Sequence, residues 1–263
     1  MRHRCMLDEI LEPGALSVVC QPIFKIQRGA GRAYALECLI RGPKGTTMES
    51  PNILFEYVRK KGEESRVDRV CIATILREAG GLSGRLPLCI NIHGSTLGRD
   101  DAFLAFFLEA ARSQSIPPSR LVLEIIEQAP SWNTPHFLKT LDGLRAEGVQ
   151  IALDDVGFAQ SNYKMILDLR PDYFKIDRYF IKECHRDSHK RAIIESIQQL
   201  ALKFGARVIA EGIEEIGDLE AVAGMGIDLI QGYLYCPPMT KSELEGGLFL
   251  QDSPNSILPA QVG

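Results

Sequence analysis

Apolar and polar positions along the chain fall into two alternating rhythms. Runs rich in β-branched, aromatic and aliphatic residues read as strands: SVVCQPIFKI (17–26), AYALECLI (33–40), PLCINI (87–92), RLVLEII (120–126), VQIALDD (149–155), DYFKID (172–177), ARVIAEG (206–212) and IDLIQG (227–232). Between them apolar residues recur at helical spacing. Val67, Val70, Cys71, Thr74 and Ile75 share one face of a helix predicted over 66–79, which stops at Gly80-Gly81. A helix over 100–112 begins at Asp100-Asp101 and aligns Phe103, Phe106, Phe107 and Ala110. Asn133-Thr134-Pro135 opens a third, with Phe137, Leu138, Leu141 and Leu144 facing inward and Gly148 as the stop. The helix over 187–204 aligns Ile193, Ile194, Ile197, Leu200 and Phe204 and ends at Gly205.

The first two strands are separated by QRGAGR, whose two glycines suit a hairpin. After it, strands and helices alternate, which favours an α/β fold with a parallel sheet, and eight strands favour a closed barrel. No repeat or linker divides the chain. A single barrel domain is expected over residues 1–250, followed by a polar, proline-bearing C-terminal tail at 251–263.

Composition narrows the partners. With 45% hydrophobic and 24% charged residues the chain is an ordinary globular protein, not a coiled coil or a disordered segment. No apolar run approaches the roughly 20 residues of a membrane span, and MRHRCMLDEILEPG has no apolar core of a secretory signal, so a cytoplasmic location is expected. The 30 basic and 34 acidic residues give a net charge of −4, which disfavours a nucleic acid polymer as partner. An anionic substrate would need local arginines or bound cations. The seven cysteines are scattered and never form CxxC, as suits small core residues in a reducing compartment better than a disulfide or zinc framework.

The chemistry is written at the strand ends. Glu37, Asn91, Glu124, Asp154, Asp155, Lys175, Asp177, Glu211 and Gln231 interrupt or close apolar strands. One such acid is more often a solvated group or a helix cap. A barrel, however, gathers its strand C-termini at one face, where so many carboxylates require protons or cations between them. The donors are all oxygens, with no histidine or cysteine, which indicates hard cations, Mg²⁺ or Mn²⁺. A pair of ions about 3.5–4 Å apart is a common device for phosphoester hydrolysis.

At these residues the chain resembles the EAL family of cyclic dinucleotide phosphodiesterases. The resemblance runs through QPI (21–23), ECLIR (37–41), INI around Asn91, LEIIE (123–127), LDD (153–155), DYFKID, AEGIE (210–214) and QGYL (231–234), nearly the whole chain. It implies a modified TIM (β/α)8 barrel whose first strand is antiparallel. It also implies hydrolysis of cyclic di-GMP to linear pGpG by two-metal hydroxide attack on phosphorus, and a homodimer. By the family pattern, Glu37, Asn91, Glu124 and Asp154 hold one ion, and Asp154, Asp155 and Glu211 the other. Lys175, Glu211 and Gln231 serve catalysis, Gln21 and Arg41 contact the substrate, and Glu127, Asp177 and Glu214 support them.

Two departures from the family pattern stand out. Cys38 replaces the usual alanine and reads as a tolerated small residue. After Asp155 the residues VGFAQS (156–161) replace a loop richer in glycine. That loop motivates an alternative: a non-catalytic cyclic di-GMP receptor or protein-interaction module. Of the remaining residues, His93 reads as a solvent-facing loop residue, Trp132 as a packing residue, and Arg59, Lys60 and Lys61 as a solvated helix end.

Overall fold

The computed structural model describes residues 5–27, 30–82, 86–126, 134–157 and 163–246. Glu127, Trp132, residues 158–162 of the divergent loop and the 251–263 tail lie outside the described residues.

Eight strands close a barrel in sequence order: β1 (Ser17–Gln27), β2 (Ala30–Arg41), β3 (Leu88–His93), β4 (Leu121–Ile126), β5 (Gln150–Val156), β6 (Tyr173–Ile176), β7 (Arg207–Ala210) and β8 (Leu229–Ile230). β2 through β8 are parallel neighbours, whereas β1 runs antiparallel to both β2 and β8. The ring is sealed by two residue pairs, Phe24 with Ile230 and Lys25 with Leu229. The architecture is therefore an α/β, TIM-like barrel with an inverted first strand.

Strand periodicity divides the side chains into two layers. One apolar residue from each strand points into the barrel: Ile23, Ala35, Cys89, Val122, Ala152, Tyr173, Ile209 and Leu229. Their sequence neighbours, among them Phe24, Leu36, Ile90, Leu123, Leu153, Phe174 and Ile230, belong to the larger core between barrel and helices. Tyr34 packs against the inner layer and shares a 2.7 Å hydroxyl hydrogen bond with Tyr173, and the Arg207 guanidinium lies 4.6 Å from the Tyr34 ring centre.

Four helices, Glu64–Ala79, Phe103–Ser113, Pro135–Ala146 and Ser188–Phe204, follow the apolar spacing. The second starts later than its aspartates suggest, because Asp100 is engaged by Arg69, whose Nε donates to it over 2.7 Å. Pro51–Lys61 is a further helix that buries only Leu54 and Val58, a stripe too narrow to stand out in the sequence. Its last turn holds Arg59, Lys60 and Lys61, where cations complement the helix dipole. Among the described residues no helix is long and apolar enough to cross a membrane. All seven cysteines are free thiols, and only Cys5 is exposed.

His93 corrects the sequence expectation. It ends β3 and is buried at 8% exposure. Asp68, itself 2% exposed, accepts from the His93 backbone N–H over 3.2 Å and from the Thr96 hydroxyl, and pairs with His93 Nδ1 at 2.8 Å. Burial alone would lower the imidazole's pKa, but the Asp68 carboxylate outweighs it and the group titrates above its ordinary value.

This carboxylate staples the helix Glu64–Ala79 to the end of β3. Replacing it by alanine (Asp68→Ala) leaves the His93 amide and the Thr96 hydroxyl buried without an acceptor, so the variant should lose about 3 kcal/mol. Urea denaturation checks this, and Asp68→Asn, which keeps one acceptor oxygen, should lose less. An unchanged midpoint for the alanine variant would contradict the staple.

Candidate active site

Two residues beyond each inward apolar residue, on the same face of its strand, stands a polar one. Along the parallel strands the pairs are Ala35 and Glu37, Cys89 and Asn91, Val122 and Glu124, Ala152 and Asp154, Tyr173 and Lys175, Ile209 and Glu211, and Leu229 and Gln231. On the inverted β1 the order reverses, Ile23 and Gln21. All eight strands thus place one polar side chain, Glu211 and Gln231 standing one residue past the ends of β7 and β8, in a layer stacked on the apolar one at the C-terminal mouth of the barrel.

Lys175 is at the centre of this layer and is 1% exposed. Its Nζ lies 2.7 Å from Glu211 Oε1, 3.0 Å from Glu124 Oε2, 3.2 Å from Asp154 Oδ1 and 3.4 Å from Glu37 Oε1. Burial opposes the ammonium, but these carboxylates overcome that and hold its pKa well above the usual lysine range. Glu37 also accepts from Gln231 Nε2 at 2.6 Å and Asn91 Nδ2 at 3.2 Å. Burial would raise its pKa, yet Lys175 and these amides bring it below the ordinary carboxylate value. Glu124 and Glu211 are pushed upward, by burial first and then by neighbouring carboxylates, with Lys175 opposing.

The two adjacent aspartates need a backbone irregularity, since consecutive strand residues face opposite ways. The β5–β6 register shifts between Leu153 and Val156, and Asp155 takes a left-handed φ of +56°. Oxygens of Asp154, Asp155 and Glu211 consequently lie within 4.8 Å of one another. Burial, then Asp154 and Asp177, raise the Asp155 carboxyl to about 6. Gln231 is positioned by the glycine that follows it. A Cβ on Gly232 would sit 2.0 Å from the Ile213 carbonyl oxygen, so only glycine lets the two backbones meet there. Ile213 N–H donates to the Gln231 carbonyl, and Leu234 N–H to that of Ile213, each over 3.0 Å.

A cavity of about 230 Å³ opens over this layer, lined by Gln21, Glu37, Asp154, Lys175, Glu211 and Gln231, with Arg178, Glu214 and Tyr233 at its sides. Gln21 accepts from Gln231 at 3.1 Å and donates to the Cys236 carbonyl at 3.1 Å. Glu214 pairs with Arg178 at 2.8 Å. Asp177 caps the short helix Arg178–Ile181, accepting from Tyr179 N–H at 2.7 Å. Arg41 borders a neighbouring cavity with Phe55, Cys71 and Asn91, and donates to the Ile40 carbonyl over 3.0 Å. Cys38 faces out of the barrel, 3.8 Å from Cys20, whose hydrogen bond together with burial pushes the Cys38 thiol well above its ordinary pKa. Sequence reading overlooked Arg178 and Tyr233. They directly follow the DYFKID and QG strings, and that adjacency was the available signal.

Another acidic group, His185 with Glu215 and Asp218, is also close enough to share an ion. Asp218 is already committed to the backbone N–H groups of Glu183 and His185 and to the His185 ring.

The EAL domain family model matches residues 4–238. Cyclic di-GMP phosphodiesterase PdeL of Escherichia coli is 34% identical over 120 residues, covering 46% of this chain and 33% of its own length. Cyclic di-GMP phosphodiesterase NbdA of Pseudomonas aeruginosa is 28% identical over 245 residues, 91% of this chain and 31% of its own. The chain thus spans about a third of the length of these relatives. Among solved structures, the manganese and cyclic di-GMP complex of Klebsiella pneumoniae BlrP1 superposes with a TM-score of 0.77 at 26% identity, over 88% of this chain and 58% of that one. An EAL domain protein of Listeria monocytogenes shares the fold with a TM-score of 0.79 at 23% identity, over 90% and 94% of the two chains.

The crowding at Asp155 has a stability consequence in chelator. Its raised pKa means that the folded chain holds this proton more tightly than the unfolded one, so the contribution to stability falls as pH rises from about 4 to about 6. Asp155→Asn removes that loss. In EDTA the variant should match wild type near pH 4 and melt about 3 °C or more above it near pH 7, as read by calorimetry. A variant that is less stable at neutral pH would mean that Asp155 supports the fold instead.

Proposed function

The chain belongs to the EAL domain family, and from that premise we propose that it is a phosphodiesterase that opens cyclic di-GMP to linear pGpG with two divalent cations, Mg²⁺ or Mn²⁺. The observation that carries the proposal is the ring of eight polar strand residues in which four carboxylates crowd one buried ammonium. The named relatives act on this substrate, and the Klebsiella protein was captured with it together with manganese or calcium.

The donor set fits hard cations. Glu124 Oε1 is buried without a hydrogen-bond partner, an oxygen that a cation would satisfy. The remaining donors are carboxylates and the Asn91 amide, with no soft ligand among them. Glu37, Asn91, Glu124 and Asp154 would hold one ion, and Asp154, Asp155 and Glu211 the other. Bound there, such ions supply acidification of water and neutralisation of charge on the phosphate.

The chain's own groups orient and move protons. Lys175 keeps Glu37, Glu124, Asp154 and Glu211 converged on one point, and Gln231 holds the other oxygen of Glu37. Glu211, its pKa raised by burial, is suited to accept a proton from the attacking water. The water oxygen bonds to phosphorus, the bond from phosphorus to the 3′-oxygen breaks, and that oxygen takes a proton from solvent to leave as an alcohol. Gln21 faces the same cavity and is placed to contact the substrate. Arg41, on the adjacent apolar cavity, would reach the nucleotide from its other side. Tyr163 and Leu167, on the helix that follows β5, are 74% and 59% exposed, which supports pairing of two copies beside the site.

Purified protein incubated with cyclic di-GMP should yield pGpG on chromatography only when Mg²⁺ or Mn²⁺ is present. Ca²⁺, larger and less exacting in geometry, should permit binding without turnover. Asp154→Asn should cut kcat by about a hundredfold or more, since even outer partners of metal ligands cost 10–100-fold. Turnover in excess EDTA would end the two-cation reading, and binding without turnover under every cation would favour a receptor.

A further inference from the structure

Among the described residues lining the acidic cavity, one cation is not used by the proposed chemistry. Lys175 is enclosed by four carboxylates, whereas the Arg178 side chain is 54% exposed at the rim. Its course is fixed at three points. Asp177 caps the helix that begins at Arg178, which sets the direction in which the side chain leaves the backbone. Gly212, at φ +70°, carries no side chain, and a Cβ there would lie 2.4 Å from Arg178 Cγ and 2.6 Å from its Cβ. The aliphatic stem therefore lies across the backbone next to Glu211. The guanidinium ends on Glu214, with Nη2 2.8 Å from Oε1.

A cyclic dinucleotide carries two phosphodiesters on opposite sides of a twelve-membered ring. When one sits over the cations, the other must rest elsewhere in a cavity walled by Glu37, Asp154, Glu211 and Glu214, all of one sign with it. Among the described residues lining that cavity, Arg178 is the cation with surface left toward the opening. Its planar fork of donors matches a phosphate as well as a carboxylate. Trading Glu214 for a phosphate exchanges one partly exposed oxyanion for another, and exposed pairs of this kind hold weakly enough to be traded.

Resting on the phosphodiesterase reading above, we propose that Arg178 leaves Glu214 to hold the non-scissile phosphate, and so makes the site select cyclic dinucleotides over diesters with a single phosphate. It is a specificity-determining residue, remote from the bond that breaks. The test compares wild type, Arg178→Gln and Arg178→Lys on cyclic di-GMP and on bis(p-nitrophenyl) phosphate, a diester with one phosphate. Arg178→Gln should raise KM for cyclic di-GMP about tenfold with kcat within about twofold, and leave KM for the single-phosphate diester within about twofold. Arg178→Lys should recover part of the loss, as a point charge without the fork.

An unchanged KM for cyclic di-GMP would overturn the proposal, as would equal rises for both substrates, which mark a general distortion of the mouth. If wild type hydrolyses neither compound, the phosphodiesterase reading falls. Calorimetric titration with cyclic di-GMP then decides the role of Arg178 by itself: about tenfold weaker binding by Arg178→Gln sustains it, and equal affinity ends it.

Discussion

A lysine ammonium removed from water is costly, and so is each carboxylate that surrounds it. Lys175 and its four acidic neighbours make these costs cancel in part, and the rest of the site follows from the part that does not cancel. Acid outnumbers base in the ring, so the excess charge has to be met by protons, as the raised carboxyls of Glu124, Glu211 and Asp155 indicate, or by cations. The balance is local. Glu37, which has two amide donors besides the ammonium, titrates below its ordinary value, while Glu124, with one buried oxygen unpartnered, is pushed above it. A site arranged in this way resists being filled by apolar groups and accepts hard positive charge.

The barrel makes such crowding possible because its strands cannot move apart. Every polar group in the ring stands two residues from an apolar one in the same strand register, so the floor of inward residues and the polar layer are set by a single periodicity. A slip of one residue in any strand would turn its polar residue outward among the helices. The exception is Asp155, which reaches the mouth through a bulge and a left-handed residue rather than through the strand period. Cys38, one residue from Glu37, obeys the period and packs on the outer side.

Much of this was legible in the sequence because each strand is a short apolar run and any polar residue closing it is conspicuous. Glu37, Asn91, Glu124, Asp154, Lys175, Glu211 and Gln231 were all visible in this way, and the inverted first strand followed from the hairpin and the family resemblance. Local pattern could not reveal partners that come from distant elements. His93 looked like a loop residue because its partner, Asp68, lies on a helix 25 residues earlier. Asp177 looked like the strand-end acids, yet its carboxylate caps a helix. Arg178 lies just past the apolar strand rather than closing it, and its place depends on an absent side chain at Gly212.

The ring closes through two residue pairs that join β1 to β8, at opposite ends of the sequence. Gln21 and Gln231, bonded across that seam, are separated by 210 residues. A ribosome therefore releases the lining of this cavity piecemeal, and no fragment that lacks the last strand can form the bonds from Gln231 to Gln21 and Glu37. Closure of the ring is therefore a late and non-local event of folding, because the long intervening chain must be drawn in before the seam can form.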